Sequence, residues 1–136
     1  MVCRSYAVSP GDAIEDVLPT DGACHVRIDG PNGFMRELRH SGAAAFRAEV
    51  RAHDADLSLM LNNTGDAAIT VALTDRSYGD RFEPIALKPG EKHSIAISTN
   101  AGKHWYDLTA RADDTQYRFA GRVETGEWSI SDPSMA

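Results

Sequence analysis

Phe46-Arg47-Ala48-Glu49-Val50-Arg51-Ala52-His53 alternates apolar and polar side chains without a break. The alanines at 43–45 favour helix by propensity. A strand nevertheless buries all four apolar residues, Phe46, Ala48, Val50 and Ala52, on one side, and the alternation outweighs propensity. The same period runs through both flanks. Upstream, Cys24, Val26 and Ile28 alternate with His25, Arg27 and Asp29, and Gly30-Pro31-Asn32-Gly33 then makes a turn by composition. Phe34 to Arg39 follows as a less regular strand, suited to a sheet edge or a bulge.

Downstream, Leu57-Leu59-Leu61 and Ile69-Val71-Leu73 read as a hairpin joined by Asn62-Asn63-Thr64-Gly65-Asp66. A looser loop around Tyr78-Gly79 and Pro84 leads to the turn Leu87-Lys88-Pro89-Gly90-Glu91. That turn feeds a strand with Ile95 and Ile97 inward. Thr99-Asn100-Ala101-Gly102 opens a strand from His104 to Ala112, with Tyr106, Leu108 and Ala110 on one face. The last strand puts Tyr117, Phe119, Gly121 and Val123 together, with Arg122 and Glu124 facing out. Seven to nine short strands that must each bury one face predict an all-β fold. The predicted architecture is an antiparallel, immunoglobulin-like β-sandwich, with a closed barrel as the alternative. Residues 1–22 read as an arm or linker, in which Ser9-Pro10-Gly11-Asp12 caps a short helical turn through Val17. Residues 23–124 read as the sandwich domain and 125–136 as a tail.

With 136 residues the chain is long enough for one cored domain and too short for two. Its formal charge of −6, with basic residues scattered, argues against nucleic acid and against purely electrostatic binding to anionic lipid. A zwitterionic surface remains compatible with that charge. No apolar run approaches the roughly 20 residues of a membrane span, and residues 1–5 lack the apolar core of a signal peptide. The chain therefore reads as cytoplasmic or as a piece of a longer exported protein. Cys3 and Cys24 read as free thiols, Cys24 as a small core residue.

No catalytic constellation is legible: no nucleophile elbow, no phosphate-cradling loop and no paired metal-binding histidines. His25, His53, His93 and His104 read as solvent-facing, with His40 in a loop. Asp54-Ala55-Asp56 and Asp113-Asp114 offer too few oxygens for calcium, and acids suit turns in any case. No metal or other cofactor is expected. Trp105 alternates with Tyr106 and Trp128 lies in the tail, so an outward indole pair could make a choline or sugar platform. The plainer reading packs Trp105 on the arm or tail and tucks Trp128 back onto the sandwich.

Several motifs in order resemble the C-terminal domain of bacterial phosphocholine-type phospholipase C. They are Gly30-Pro31-Asn32-Gly33-Phe34 with Arg36-Glu37-Leu38, Leu61-Asn62-Asn63-Thr64-Gly65, Trp105-Tyr106-Asp107-Leu108-Thr109, Phe119-Ala120-Gly121-Arg122-Val123-Glu124-Thr125-Gly126, and Ser131-Asp132-Pro133. The matches run in order from about residue 23 to 133, most of the chain. The pattern departs at Arg122, where the family more often carries His, so a role resting on an imidazole there does not carry over. The resemblance implies a non-catalytic accessory domain of an exported bacterial enzyme that hydrolyses phosphatidylcholine or sphingomyelin. Its implied partner is the catalytic domain of the same parent chain, with a phosphocholine lipid surface as a further candidate. The implied location is secreted or periplasmic. A stand-alone choline- or carbohydrate-binding module is the alternative. Trp105, Trp128 and Arg122 are the candidate ligand or surface contacts, and no residue is assigned to catalysis.

Overall fold

The computed structural model describes residues 3–18, 22–78, 81–126 and 132. Nine strands run through the described residues: β1 (Ala23–Asp29), β2 (Met35–Ser41), β3 (Arg47–His53), β4 (Asp56–Asn62), β5 (Ile69–Asp75), β6 (Ile85–Leu87), β7 (Lys92–Ile97), β8 (Trp105–Ala112) and β9 (Thr115–Arg122). A single 3-10 turn, Pro31–Gly33, separates β1 from β2. The strands form two antiparallel sheets, one in the order β1-β2-β9-β8-β5-β6 and the other β3-β4-β7. The sheets are open, so the fold is a β-sandwich and not a closed barrel.

The core lies between the sheets, where the alternation of each strand places its apolar side chains. Phe46, Leu59 and Leu61 from the smaller sheet meet Val71, Leu108 and Ala110 from the larger, each 2% exposed or less. A fully buried Leu or Phe of this kind contributes about 1.5–3 kcal/mol relative to an exposed one. The Tyr117 ring packs on Phe46 at 5.3 Å between centroids, and its hydroxyl donates to the Phe46 carbonyl at 3.1 Å. The aromatic pair thus joins β9 to the entrance of β3 across the core.

The expected hairpin between Leu57–Leu61 and Ile69–Leu73 does not form. β4 pairs with β3 and β7, whereas β5 pairs with β6 and β8. The segment after β4 crosses from one sheet to the other, and the segment from β6 to β7 crosses back. Asn63, fully buried, fastens both crossings. Its amide nitrogen Nδ2 donates to the carbonyls of Ala67 at 2.8 Å and Leu87 at 3.2 Å, and its Oδ1 accepts from the Gly65 N–H at 3.0 Å. Its backbone N–H donates to the Glu91 carbonyl and its carbonyl accepts from Gly90, both at 2.9 Å. A polar side chain with partners in two loops holds a crossover in a way that a free hairpin turn cannot.

Other expectations are corrected. Phe34–Arg39 is not an edge: β2 lies inside the larger sheet, between β1 and β9. His40 is on β2, opposite Cys24, and not in a loop. Ser9 to Val17 forms no helix; a single turn closes there when Asp12 N–H donates to the Ser9 carbonyl. The arm is instead pinned by Asp16, which accepts from Arg4 at 2.6 Å and from the Tyr6 hydroxyl. The Tyr6 hydrogen bond and then the Arg4 one hold the Asp16 carboxyl below its ordinary range. Cys24 is half-buried at the margin of the core, because β1 has little of the second sheet opposite it; both described cysteines are free.

Candidate functional site

β8 and β9 pair along their full length, and the register sets Trp105 directly opposite Arg122. Both therefore point to the outer face of the larger sheet. Trp105 is half-buried, and its ring lies so close over Gly33 that a β-carbon there would sit 3.0 Å from Cζ3. Gly33 also has φ of 72°, so glycine at the end of the 3-10 turn answers both the backbone and the indole. Trp128 lies outside the described residues, as do Ser131 and Pro133.

Arg122 differs from expectation. Its side chain is only 4% exposed, although the alternation directs it outward. Nη1 donates to Glu124 at 3.0 Å, and Nε is buried with no hydrogen-bond partner. The guanidinium is a covered, partly paired cation. Alternation fixes the face of a sheet to which a side chain points; it does not say whether that face is covered.

More of the outer face is organised by charge. Arg118 grips Asp107 with two bonds of 2.9 and 2.8 Å, and that pairing raises the arginine above its already high range. Glu37, 8% exposed, accepts from Arg39 at 2.5 Å and lies 3.4 Å from His25 Nε2. Of the histidines expected in solvent, His25, His53 and His93 are exposed, but His104 is not. His104 belongs to the turn before β8, with φ of 74°. Its Nδ1 lies 3.2 Å from the Ala55 carbonyl and 3.1 Å from Thr99 Oγ1, so it joins that turn to the β3–β4 turn. Among the described residues no group of three or more His, Cys, Asp or Glu side chains gathers where it could hold a metal.

The inner face holds one cation that sequence reading passed over. Arg36 lies on the core side of β2, opposite Phe119. Its guanidinium carbon stands 4.3 Å from the Phe34 ring centroid, 5.5 Å from Phe119 and 5.6 Å from Tyr106. Nη1 donates to the carbonyls of Met35 at 2.9 Å and Ala120 at 3.0 Å, and Nη2 donates to the Tyr106 hydroxyl at 2.9 Å. These partners are neutral, so the positive charge is held by rings and dipoles. The available signal was parity: Arg36 shares its alternation with Leu38, on the side facing the core.

Residues 43–122 match the family described as bacterial phospholipase C, C-terminal domain. Curated relatives agree with that match. The chain is 33% identical to a hemolytic phospholipase C of Pseudomonas aeruginosa, with 91% of this chain and 19% of the relative covered. It is 27% identical to a non-hemolytic phospholipase C of the same organism, with 97% and 21% covered. It is 34% identical to a non-hemolytic phospholipase C of Burkholderia pseudomallei, with 80% and 17% covered. The chain thus spans about one fifth of the length of these relatives. With its matched region taking in most of the sandwich, from the residues before β3 to the end of β9, the chain belongs to the family of C-terminal domains of bacterial phospholipase C.

Proposed function

We propose that this chain serves as a non-catalytic accessory domain of a bacterial phospholipase C acting on phosphatidylcholine or sphingomyelin. In this reading it packs on the catalytic domain of the same parent polypeptide and helps to form the entrance for substrate or the approach to a phosphocholine lipid surface. The parent enzyme works outside the cytoplasm, secreted or periplasmic. The observation that carries the reading is the match to a C-terminal domain family, together with relatives named as phospholipases C that are about five times longer than the aligned region. The sandwich fits that reading. Asn63, Thr99 and Thr115, three of its buried polar side chains, join strands and loops.

Two measurements test this. The chain alone is assayed on p-nitrophenyl phosphorylcholine and on phosphatidylcholine vesicles; turnover above a heat-inactivated control rejects the non-catalytic role. A full-length relative is then assayed with and without the corresponding domain. The expected result is a loss of stability or of activity on vesicles that exceeds the loss on the small soluble substrate. Equal stability and equal activity in both forms reject the accessory role.

A further inference from the structure

The two sheets differ in width, and the larger projects past the smaller along one side. This leaves a trough of about 460 Å³. Its floor is the core-side face of β1 and β2, with Val26, Ile28 and Leu38, and its wall is β3, presenting Val50. Ile28 is 57% exposed although its alternation points it toward the core side. Arg36, under its three aromatic rings, also lines the trough.

Three features restrict what fits. The lining is mostly apolar; its charged members are Arg36, Glu37 and Glu49, and the two carboxylates already have cations of their own, Arg39 at 2.5 Å from Glu37 and Arg51 at 3.7 Å from Glu49. β3 is the outermost strand of its sheet, so one row of its backbone N–H and C=O groups has no ladder partner. Arg36 brings a positive charge whose hydrogen bonds go to carbonyls and a hydroxyl and not to a carboxylate. We propose that the trough is a docking site for an extended peptide strand. This strand pairs with β3, sets alternate apolar side chains against Val26, Leu38 and Val50, and presents a carboxylate to Arg36. That the strand comes from elsewhere in a parent phospholipase rests on the accessory-domain reading; that the trough takes a strand does not.

Other occupants fit less well. An aliphatic acid would satisfy Arg36 and the apolar floor but would leave the β3 edge groups against hydrocarbon, at a cost for each. A second copy pairing β3 with β3 about a twofold axis would bring its own β1 and β2 into the same space, since they project past β3 in both copies. The β3 side chains themselves suit a strand. Ala48 and Ala52 leave room on the trough side. Arg47, Glu49 and Arg51 on the other side carry charges that discourage indiscriminate edge pairing.

The test is an NMR titration of the isotope-labelled chain with the capped peptide Thr-Val-Thr-Val-Asp-Val-Thr, with the same peptide carrying Lys for Asp, and with decanoate. The proposal expects saturable shifts at β3 amides and at Arg36 Nε, and tighter binding of the Asp peptide by about threefold or more. Arg36→Gln removes that preference while binding persists, and Val50→Lys removes binding with the remaining spectrum unchanged. The proposal is overturned if the Asp peptide at millimolar concentration gives no saturable shift at β3, or if the Lys peptide binds equally well. Shifts with decanoate alone assign the trough to an aliphatic acid, and dilution-dependent β3 shifts without peptide assign it to a second copy; either result also overturns it. Peptide binding alongside an indifferent domain deletion rejects the accessory reading alone; a loss on deletion without peptide binding rejects the trough alone.

Discussion

Asn63 Nδ2 donates to the Leu87 carbonyl across 24 residues of sequence, from the end of one sheet to the end of the other. This bond ties the β4–β5 crossing of the sandwich to the β6–β7 crossing, and it is made by a side chain with no exposed surface. Asn63→Ala would leave two carbonyls and one N–H without this partner; the Leu87 carbonyl is buried, whereas Ala67 and Gly65 lie in an exposed loop that water can reach. The expected loss of unfolding free energy is about 1–3 kcal/mol, most of it from the buried group left unsatisfied. Urea denaturation measures it. Asn63→Asp should be worse at neutral pH than in mild acid, because an ionised carboxylate would face the Ala67 and Leu87 carbonyls. A loss below about 1 kcal/mol for Asn63→Ala would show that the crossings hold without their staple.

Gly102 shows a different constraint. A β-carbon there would sit 2.3 Å from the Trp105 carbonyl oxygen and 3.0 Å from the Tyr78 ring. The ring could shift, but the carbonyl belongs to the first residue of β8. Gly102 O also accepts from Trp105 N–H at 3.0 Å, which closes the turn. Gly102→Ala must therefore displace the start of β8, at an expected cost of about 2–3 kcal/mol. Thermal melts of the variant and the parent chain check this, with Gly42→Ala as the control, since nothing lies within 4 Å of a β-carbon at Gly42.

The strands were legible in the sequence because each one alternates and ends in turn chemistry. Phe46 to His53 shows this most clearly, and Asp54 and Asp113, both with positive φ, are turn residues of the expected kind. Which strands pair was less legible. Asn62 to Asp66 has the composition of a hairpin, and nothing local distinguishes a turn that returns beside its own strand from one that crosses to the facing sheet. The difference lies in Asn63 reaching Leu87, a contact distant in sequence. The burial of Arg122 and the setting of Arg36 were not legible for a related reason: alternation gives a direction, whereas burial depends on what lies opposite. The motifs shared with the phospholipase family also include residues whose work is structural, as Asn63, Gly33 and Phe119 do in the crossover, under the indole and in the core.

Arg122 permits a test of how the chain carries a covered charge. Its partner Glu124 is 64% exposed, so the pair is only half removed from water. A hydrophobic side chain of similar length loses the ion pair but also relieves the burial of Nε, and the two effects nearly cancel. Arg122→Met is expected to change stability by less than about 1 kcal/mol, in either direction. Glu124→Ala keeps the covered guanidinium and removes its counter-charge, and should cost about 1–2 kcal/mol, less than the roughly 3–5 kcal/mol of a fully buried pair because Glu124 is mostly in water. Denaturation of both variants gives the order directly. If Arg122→Met costs more than Glu124→Ala, the arginine is held by interactions beyond the Glu124 pair.

Asp114, at the β8–β9 turn, accepts from the hydroxyl and the backbone N–H of Ser41 at the end of β2. The hydroxyl contact is the largest cause holding its carboxyl below the ordinary aspartate value, opposed by desolvation. A folded-state pKa below the unfolded one means that this contact stabilises the fold above the unfolded aspartate value, near 3.9. That contribution is lost as pH falls from the unfolded value through the lowered folded value, because across that window the unfolded chain binds more protons than the folded one. Carboxyl carbon NMR across the acid range should find Asp114 titrating below the ordinary aspartate range. Ser41→Ala should return the Asp114 midpoint toward the ordinary value while leaving the Asp107 resonance, which is bound to Arg118 elsewhere on the sheet, in place. An Asp114 midpoint that does not move in Ser41→Ala would mean that the serine hydroxyl is not what holds the proton off.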